Sequence, residues 1–542
     1  MSTPPDLAAS PGDLVLGPVL RRVEGSRATV WVETGRPATV TVDAGPARGS
    51  ARTFTVHGHH YALVVVDGLP AAAATPYRLE IDGKTVWPLP DDPHPAPVIR
   101  TRQPGAPVRI VFGSCREASP YSQRRYPPDA LDAFAVRLRA GDSPWPDLLA
   151  LLGDQVYADQ TPRNLRRWLK RRKHRPEAAP AAQVVSFHEY TKLYLDSWTD
   201  PEVRWLLSTV PSVMIFDDHE IIDDWNSSAS WRRDIAREPW WDKRIQAGLA
   251  SYWVYQHLGN LAPDALADDP VYAALSGEST AVLDEFGTRA DRERDAYRWC
   301  YTLDLDRTRL VVLDNRAGRQ LEPGRRSMLT DDAWTWLAKA VTGDYDHLVI
   351  GSSLPWLLPP AIHHLEAVSE RLAESPRPFV VALAEKLRRA GDLEHWAAFG
   401  RSFEALGALL GQVGSAPGAP ASISVLSGDV HHSYVARADV GAGPAGPIHQ
   451  LTCSPVHNDV PRLIRPVMRW GWDRTAARAM RAWARSIGLR KLTVTWRKDA
   501  GPYFGNTIAQ LVHNGRSATV IIEVTDADAA LHRLIELDLT HR

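Results

Sequence analysis

The chain has 542 residues, and its 63 basic and 64 acidic side chains give a formal net charge of −1. This balance excludes a general attraction to nucleic acid or to an anionic membrane, and the length predicts two or three folded units. Only three cysteines occur, Cys115, Cys300 and Cys453, which excludes a disulfide framework and leaves a large apolar core to stabilise the fold.

The first 13 residues, MSTPPDLAASPGD, contain neither a twin arginine nor an apolar segment of the kind found in export signals. We therefore predict a flexible N-terminus over residues 1–13 and a cytoplasmic location. The rest of the sequence contains no run of about 18 apolar residues, so no membrane-spanning helix is expected.

Residues 14–104 are predicted to form a β domain. Segments such as RATVWVET, YALVVVDGL and PYRLEIDG alternate apolar and polar residues between Gly and Pro turns. This spacing is typical of a small Ig- or fibronectin-like β-sandwich. We expect the domain to stabilise the fold; binding substrate or shaping a cleft are the alternatives.

Four apolar segments further along the chain each end in side chains that can bind metals. They read RIVFGSC (109–115), DLLALLGDQVYAD (147–159), VMIFDDHE (213–220) and ISVLSGDVHH (423–432). In an open α/β sheet, chemistry lies outside the carboxyl ends of the strands. A turn Asp, a buried Cys or a core His is the ordinary interpretation of any one segment. Four such segments in one chain indicate a shared metal site.

The second segment indicates which metals this site would bind. Asp154 has two carboxylate oxygens and can bridge two cations. Tyr157 can offer a phenolate only to a strongly Lewis-acidic ion, because the pKa of free tyrosine is about 10. The pair therefore favours a two-metal site that includes a ferric-type ion.

The four segments together resemble the calcineurin-like metallophosphoesterase superfamily, and within it the PhoD-like alkaline phosphatases and phosphodiesterases. Cys115 stands where the superfamily's first block has Asp or His, and Tyr157 stands where purple acid phosphatases also carry a ferric-binding Tyr. DDHE at 217–220 replaces Gly-Asn-His-Glu, and GDVH at 428–431 replaces Gly-His-x-His. The superfamily's lone His is replaced by IGSSLP at 350–355.

This resemblance covers residues 107–460 and implies an α/β fold, a four-layer α/β/β/α metallophosphoesterase sandwich preceded by the N-terminal β-sandwich. We assign residues 105–460 to the catalytic domain with helical insertions. Residues 461–542 are predicted to add a C-terminal helix and strands that complete this domain, because 503–540 alternates like strands around an Asn-Gly turn.

The ligand types predict an asymmetric metal centre. Cys115, Tyr157 and His431 beside Asp154 offer mixed sulfur, oxygen and nitrogen ligands that suit iron. Asp154, Asp218 and Asp429 offer only oxygen, which favours a hard divalent ion. The resemblance implies ferric iron and calcium, with Mg, Mn or Zn as substitutes. Asp159 and Asn226 are extra oxygen donors or, as we prefer, hydrogen-bond partners of the ligands.

The predicted reaction is hydrolysis of phosphoric esters by a metal-activated water. By resemblance, His219 stabilises the transition state or protonates the leaving oxygen. Arg116 and Arg316 are candidates for binding phosphoryl oxygens, because a guanidinium matches two of them; Arg319 in the same segment as Arg316 is another. Structural or surface salt bridges are the alternative role for each arginine.

We therefore predict a phosphoric ester hydrolase of the alkaline phosphatase D type, acting on a phosphate ester substrate, with no specific nucleic acid partner. A nuclease or phospholipid phosphodiesterase on the same scaffold is one alternative, and a catalytically inactive metal- or phosphate-binding module is the other. The basic stretch 461–491 is expected to pack one face and solvate its arginines; peripheral contact with an anionic membrane or polymer is the alternative. The sequence does not separate monoester from diester substrates, and it gives no oligomeric state.

Overall fold

The computed structural model describes residues 14–119, 122–172, 175–176, 178–441, 446–460, 462 and 464–540. The predicted flexible segment 1–13 lies outside these residues. Within the described ranges, every helix is too short or too polar to cross a lipid bilayer.

The N-terminal part of the chain forms two packed antiparallel sheets. Their orders are β1-β2-β6-β5 and β4-β3-β8-β9, and β7 pairs separately with β10. These strands are β1 (Leu14–Glu24), β2 (Arg27–Thr34), β3 (Thr39–Ala44), β4 (Ala47–Arg52), β5 (Phe54–Val56), β6 (His59–Val66), β7 (Ala74–Pro76), β8 (Arg78–Ile81), β9 (Lys84–Trp87) and β10 (Val98–Arg100).

The sheet that contains β2 is buried on both faces. Successive side chains of a strand point to opposite faces, so Val30 and Val32 enter the core between the two N-terminal sheets. Trp31 lies between them and points the other way, with its ring centroid 6.1 Å from that of Trp198 and 5.2 Å from that of Tyr255. The N-terminal sandwich therefore shares a core with the helices that follow it.

Two larger sheets form the centre of the molecule. Their orders are β13-β12-β11-β21-β22-β23 and β14-β15-β16-β17-β19-β18-β20. The strands are β11 (Val108–Gly113), β12 (Leu148–Leu152), β13 (Ser212–Ile215), β14 (Tyr301–Leu305), β15 (Thr308–Val312), β16 (His347–Gly351), β17 (Ser422–Ser427), β18 (Ser433–Asp439), β19 (Ile448–Thr452), β20 (Thr495–Tyr503), β21 (Thr507–Asn514), β22 (Ser517–Thr525) and β23 (Leu531–Asp538).

The described residues form 15 α-helices, and several of them cover the outer faces of the two central sheets. They are α1 (Ser122–Arg125), α2 (Ala130–Arg139), α3 (Arg163–Arg171), α4 (Phe187–Trp198), α5 (Pro201–Thr209), α6 (Ala229–Ile235), α7 (Trp241–Tyr252), α8 (Pro270–Ala273), α9 (Thr280–Arg292), α10 (Asp331–Ala340), α11 (Pro360–Ala373), α12 (Pro378–Gly391), α13 (Gly400–Ser415), α14 (Ile464–Gly471) and α15 (Arg474–Ser486).

The alternation of side chains on the central strands produces the four layers. Ile110 and Val312 point into the core between the two sheets. Their neighbours Val111 and Val311 point outward, each into a separate core that its sheet shares with the covering helices. The predicted α/β/β/α sandwich with a preceding β-sandwich is therefore confirmed. The C-terminal strands enter both sheets, β20 beside β18 and β21 beside β11.

Trp31→Ala tests whether the N-terminal sheet is part of the main core. We expect the free energy of unfolding to fall by about 3–5 kcal/mol, because the substitution empties a large buried site between the sheet and the helices. Chemical denaturation measures it. Leu534→Ala, at a side chain that is 37% exposed, is the control and should change it by less than about 0.5 kcal/mol. An equally small effect of Trp31→Ala would contradict the shared core.

Candidate metal centre

The site lies where the carboxyl ends of the central parallel strands meet. Cys115, Asp154 and Asp218 follow β11, β12 and β13, which are parallel neighbours in one sheet. Asp429 follows β17 of the other sheet. Because the two sheets pack face to face, these four strand ends bring their side chains to one edge of the sandwich.

Carboxylates crowd this edge in two overlapping groups. The ligand atoms of Asp154, Asp218 and His219 lie within 4.8 Å of one another, and so do those of Asp217, Asp218 and Asp429. Asp218 belongs to both groups. The sequence predicts that Asp154 is the ligand shared by two metals and does not predict Asp217 as a ligand. In the structure, Asp218 is the carboxylate common to both groups, and Asp217 joins the second group.

The other three predicted metal ligands adjoin these groups. The Tyr157 hydroxyl lies 3.5 Å from Asp154 Oδ2, and Cys115 Sγ lies 3.6 Å from the backbone oxygen of Asp429. Burial lowers the pKa of His431 to about 4, which leaves its imidazole neutral and able to bind a metal. The structure therefore places the six predicted metal ligands at the same edge, but Cys115 and His431 belong to neither group of ligand atoms that lie within 4.8 Å of one another.

The electrostatics of the cluster call for a cation. Burial raises the pKa of the Asp154 and Asp217 carboxyls well above their usual range. Burial and the charges of Asp154 and Asp429 also raise the pKa of the Cys115 thiol. Asp154 Oδ1, Asp217 Oδ2 and Asp218 Oδ1 are buried without a hydrogen-bond partner. Such oxygens are costly unless they bind an ion or water, so the donor set fits bound metal ions.

The backbone at the strand ends adopts an unusual conformation. Cys115, Asp154, Asp429 and His431 have φ angles of +57°, +50°, +66° and +49°, in the left-handed region that non-glycine residues rarely adopt. Each such residue costs on the order of 1 kcal/mol or more, and such strain is concentrated at functional sites. Here it turns four candidate ligands sharply out of their strands.

Glu220 holds two of the strand-end loops together. Its buried carboxylate accepts backbone N–H groups from Asp154 (3.1 Å), Gln155 (2.7 Å) and Asp217 (2.9 Å). The side-chain amide of Gln256 donates a further hydrogen bond of 3.1 Å. Glu220 therefore positions the loops after β12 and β13 relative to each other without being a ligand itself.

His219 is held by Asp159. The Asp159 carboxylate lies 2.9 Å from His219 Nδ1, which fixes the ring orientation, and it also accepts the backbone N–H of Asp223. Burial acts to lower the pKa of His219, but the carboxylates of Asp159, Asp218 and Asp154 keep that pKa well above its usual value. The Asp159 carboxylate therefore makes a hydrogen bond to a residue beside the predicted ligand Asp218, as expected for one of its two predicted roles.

Arg316 lies inside the acidic cluster. Its guanidinium donates hydrogen bonds to Asp217 and Glu394. Nη2 is buried without a hydrogen-bond partner, 3.6 Å from Asp218 Oδ1 and 3.7 Å from Asp429 Oδ1. Arg316 therefore offsets part of the negative charge and directs Nη2 toward the candidate ligands.

Arg116 does not take part in this arrangement. Its guanidinium is buried, pairs with Asp129 at 2.7 Å, and donates to the backbone oxygen of Ser197 at 2.9 Å. Its remaining nitrogen, Nη2, is buried without a hydrogen-bond partner, and the acidic partner of the side chain is Asp129 rather than a carboxylate of the cluster. Asn226 is likewise committed, because its amide donates to the Arg316 carbonyl and accepts from Arg232.

Two residues outside the strand-end segments, which the sequence did not predict, contact Asp429 or Arg316. His395 Nε2 lies 2.9 Å from Asp429 Oδ2, and its Nδ1 lies 2.9 Å from Glu366. Glu394 accepts from Arg316. Both lie between α12 and α13, in a helical insertion where no strand precedes them. Their only sequence signal is an acidic residue beside a histidine, which is too common to identify a site.

Two family models match separate parts of the chain. The model described as PhoD-like phosphatase matches residues 125–468. A model described as a domain of unknown function (DUF7800) matches residues 11–99, the region of the N-terminal sandwich. A comparison with curated proteins found no match.

Solved structures that match the chain include a PhoD protein and a purple acid phosphatase. One, titled "Structure of PhoD", has 12% sequence identity and a TM-score of 0.60, and the match covers 98% of this chain and 90% of that one. The other is a purple acid phosphatase from yellow lupin (Lupinus luteus) seeds, with 12% identity, a TM-score of 0.46, and coverage of 95% and 73%. At this identity the first likeness establishes the fold.

Gly428→Ala tests the close packing beneath the cluster. A Cβ at Gly428 would lie 1.7 Å from Ser114 Oγ and 2.2 Å from Ser114 Cβ, so the loop that carries Asp429 must shift. We expect the free energy of unfolding to fall by about 1–3 kcal/mol, as in other overpacked sites. Gly400→Ala is the control, since no atom lies within 4 Å of its added Cβ. Equal denaturation midpoints for the two variants would contradict the packing argument.

Proposed function

Because the chain belongs to the PhoD-like phosphatase family and is on that account a phosphoesterase, we propose that it hydrolyses phosphoric esters at a bimetallic centre. The observation that carries the proposal is the pair of ligand groups that share Asp218. The buried, unpartnered oxygens of Asp154, Asp217 and Asp218 support it, because bound cations would provide their missing partners.

We assign two metals to different parts of the cluster. Cys115, Tyr157 and His431, together with Asp154, would hold ferric iron, since sulfur, phenolate and imidazole ligands suit it. The carboxylates that include Asp218 and Asp429 would hold calcium or another hard divalent ion. When bound, such ions supply Lewis acidity toward the phosphoryl oxygens and toward the attacking water.

His219 is the proposed proton donor to the leaving oxygen. Asp159 accepts a hydrogen bond from Nδ1–H and so fixes the ring, which lies beside Tyr157 with the ring centroids 4.5 Å apart. The imidazole is 4.8 Å or less from the oxygens of Asp154 and Asp218. It therefore borders the space in which a phosphate ester would contact the metal ligands.

Arg316 is the proposed binding group for a phosphoryl oxygen. Two of its guanidinium nitrogens are occupied by Asp217 and Glu394, which orients the group, whereas Nη2 has no hydrogen-bond partner. A phosphoryl oxygen would accept from Nη2 while the guanidinium stays fixed. Arg116 is left out of the proposal, because its guanidinium pairs with Asp129 and Ser197 whereas that of Arg316 lies among the candidate ligands.

Elemental analysis of the purified protein, combined with turnover of an aryl phosphate monoester and a diester, tests the centre. We expect iron and calcium, and a visible tyrosinate-to-iron absorption that Tyr157→Phe removes. Asp218→Asn should lower turnover by roughly 100-fold or more with loss of metal, because it removes the shared ligand. Asp344→Asn, at a carboxylate that is 91% exposed, is the matched control. Full turnover by a metal-free protein would refute the bimetallic centre.

The leaving-group dependence of turnover tests His219. His219→Ala should lower kcat for alkyl phosphates by roughly 10²–10⁴-fold, and much less for nitrophenyl phosphate, whose leaving oxygen needs no proton. Asp159→Asn should show the same trend more weakly, with metal content retained. His532→Ala, at a ring that is 61% exposed, is the control. A uniform loss across leaving groups would show that His219 serves another purpose, such as metal binding.

A further inference from the structure

Exposed apolar side chains are concentrated on the C-terminal helices. Of the nine large hydrophobic side chains that are exposed in the described part of the chain, four lie on α14 and α15: Ile464, Val467, Trp470 and Trp483. They are between 40% and 51% exposed. We call this group, with the arginines of the same two helices, the basic–apolar surface.

The charge of this surface is not compensated. Its six arginines form no ion pair with any acidic residue in the described ranges; they are Arg465, Arg469, Arg474, Arg478, Arg481 and Arg485. The one acidic residue of the segment, Asp473, caps α15 by accepting backbone N–H groups. The positive charge is therefore local, since the whole chain has a net charge of −1.

Helix α12 differs from α14 and α15 in the ion pairing of its arginines. It also exposes a stripe of apolar side chains, Phe379, Leu383 and Leu387. Its two arginines, however, are neutralised by ion pairs: Arg388 with Glu370 and Glu385, and Arg389 with Glu385 and Asp234. The other cation of α12, Lys386, forms no ion pair with the described residues, so α12 keeps a single unpaired positive charge. Exposed apolar residues and a group of unpaired arginines thus coincide only on α14 and α15 among the helices described.

A chain of contacts links the basic–apolar surface to the candidate metal centre. Asn458, six residues before α14 begins, donates a hydrogen bond of 3.0 Å to the Tyr157 hydroxyl. The guanidinium carbons of Arg465 and Arg469 lie 5.6 Å and 5.4 Å from the ring centroid of Phe504. The Phe504 ring is in turn 6.1 Å from that of His432, the neighbour of His431.

We propose that the basic–apolar surface docks on an anionic lipid bilayer. Arginines attract anionic headgroups, tryptophans prefer the membrane–water interface, and aliphatic side chains gain from leaving water. A polyanion such as DNA would use the arginines but leaves Ile464, Val467 and Trp470 without a partner. In a symmetric dimer through this surface, the arginines of the two copies would repel each other.

Docking would bring the metal centre close to the bilayer surface. Docking of the basic–apolar surface on a bilayer does not depend on the proposed function. Its consequence for substrate choice rests on the proposed function, because it requires that the protein hydrolyses phosphate esters. Phosphate esters displayed at a membrane surface would then be hydrolysed in preference to the same esters in solution.

Vesicle co-sedimentation of the full chain tests the proposal. Vesicles of phosphatidylcholine with about a third phosphatidylserine should bind the protein at least about tenfold more tightly than phosphatidylcholine alone. Trp470→Ser with Trp483→Ser, and separately Arg469→Glu with Arg478→Glu, should each weaken this binding by about tenfold or more. Tryptophan fluorescence should shift to the blue on binding and should lose that shift in the tryptophan variant.

Matched variants control for charge and apolar area. Arg167→Glu with Lys170→Glu controls for charge, because it changes a basic helix, α3, on which the described residues include no exposed large hydrophobic side chain. Leu534→Ser controls for apolar area, because it removes an exposed apolar side chain elsewhere. Both should bind vesicles within about twofold of the unmodified protein. The two test variants and the two control variants should all hydrolyse a soluble aryl phosphate at the rate of the unmodified protein. This rate would show that the variants are folded, and it would distinguish a failure of the docking proposal from a failure of the proposed function.

Three results would overturn the proposal. One is equal binding to neutral and anionic vesicles. Another is binding to DNA or heparin at least as tight as to anionic vesicles and insensitive to the tryptophan substitutions, which would identify a polyanion. The last is a dimer in sedimentation velocity that the same substitutions dissociate, which would identify a second copy of the chain as the occupant.

Discussion

The concentration of buried carboxylates at one edge of the sandwich is the constraint around which this molecule is organised. Asp154, Asp217 and Asp218 are nearly inaccessible to solvent, and each has an oxygen without a hydrogen-bond partner. Negative charges at this spacing repel each other strongly where water is excluded. The fold tolerates them because compensating positive charge is built around them.

Part of that compensation comes from the chain itself. Arg316 reaches the cluster from the loop after β15, and His395 reaches it from the insertion between α12 and α13. Both are buried, and both are oriented by a second acidic residue, Glu394 and Glu366 respectively. The positive groups are therefore fixed before any ligand arrives, as preorganised electrostatic sites require. The remaining unpartnered oxygens are what make bound metal ions the natural completion of the site.

Hydrogen bonds and close packing hold the loops at this edge in place, and they are supported by packing elsewhere in the molecule. Glu220 ties the turns after β12 and β13 together, and Gly428 lets the loop after β17 pass against Ser114. Further away, Trp31 of the N-terminal sandwich packs on the helices that cover the first central sheet. The strained backbone and the charged side chains at this edge are thus supported by well-packed surroundings. Such packing is what usually sustains local backbone strain.

The sequence alone was sufficient to predict the fold class and the position of Cys115, Asp154, Asp218 and Asp429 after the ends of buried strands. A buried strand and the first residues after it are local in sequence, and parallel strands bring their carboxyl ends to one edge whatever the loops do. The tertiary structure decided which arginine faces the cluster, Arg316 and not Arg116, and added His395. Long side chains and insertions find their partners through contacts far apart in sequence, and no local pattern records where such a side chain points.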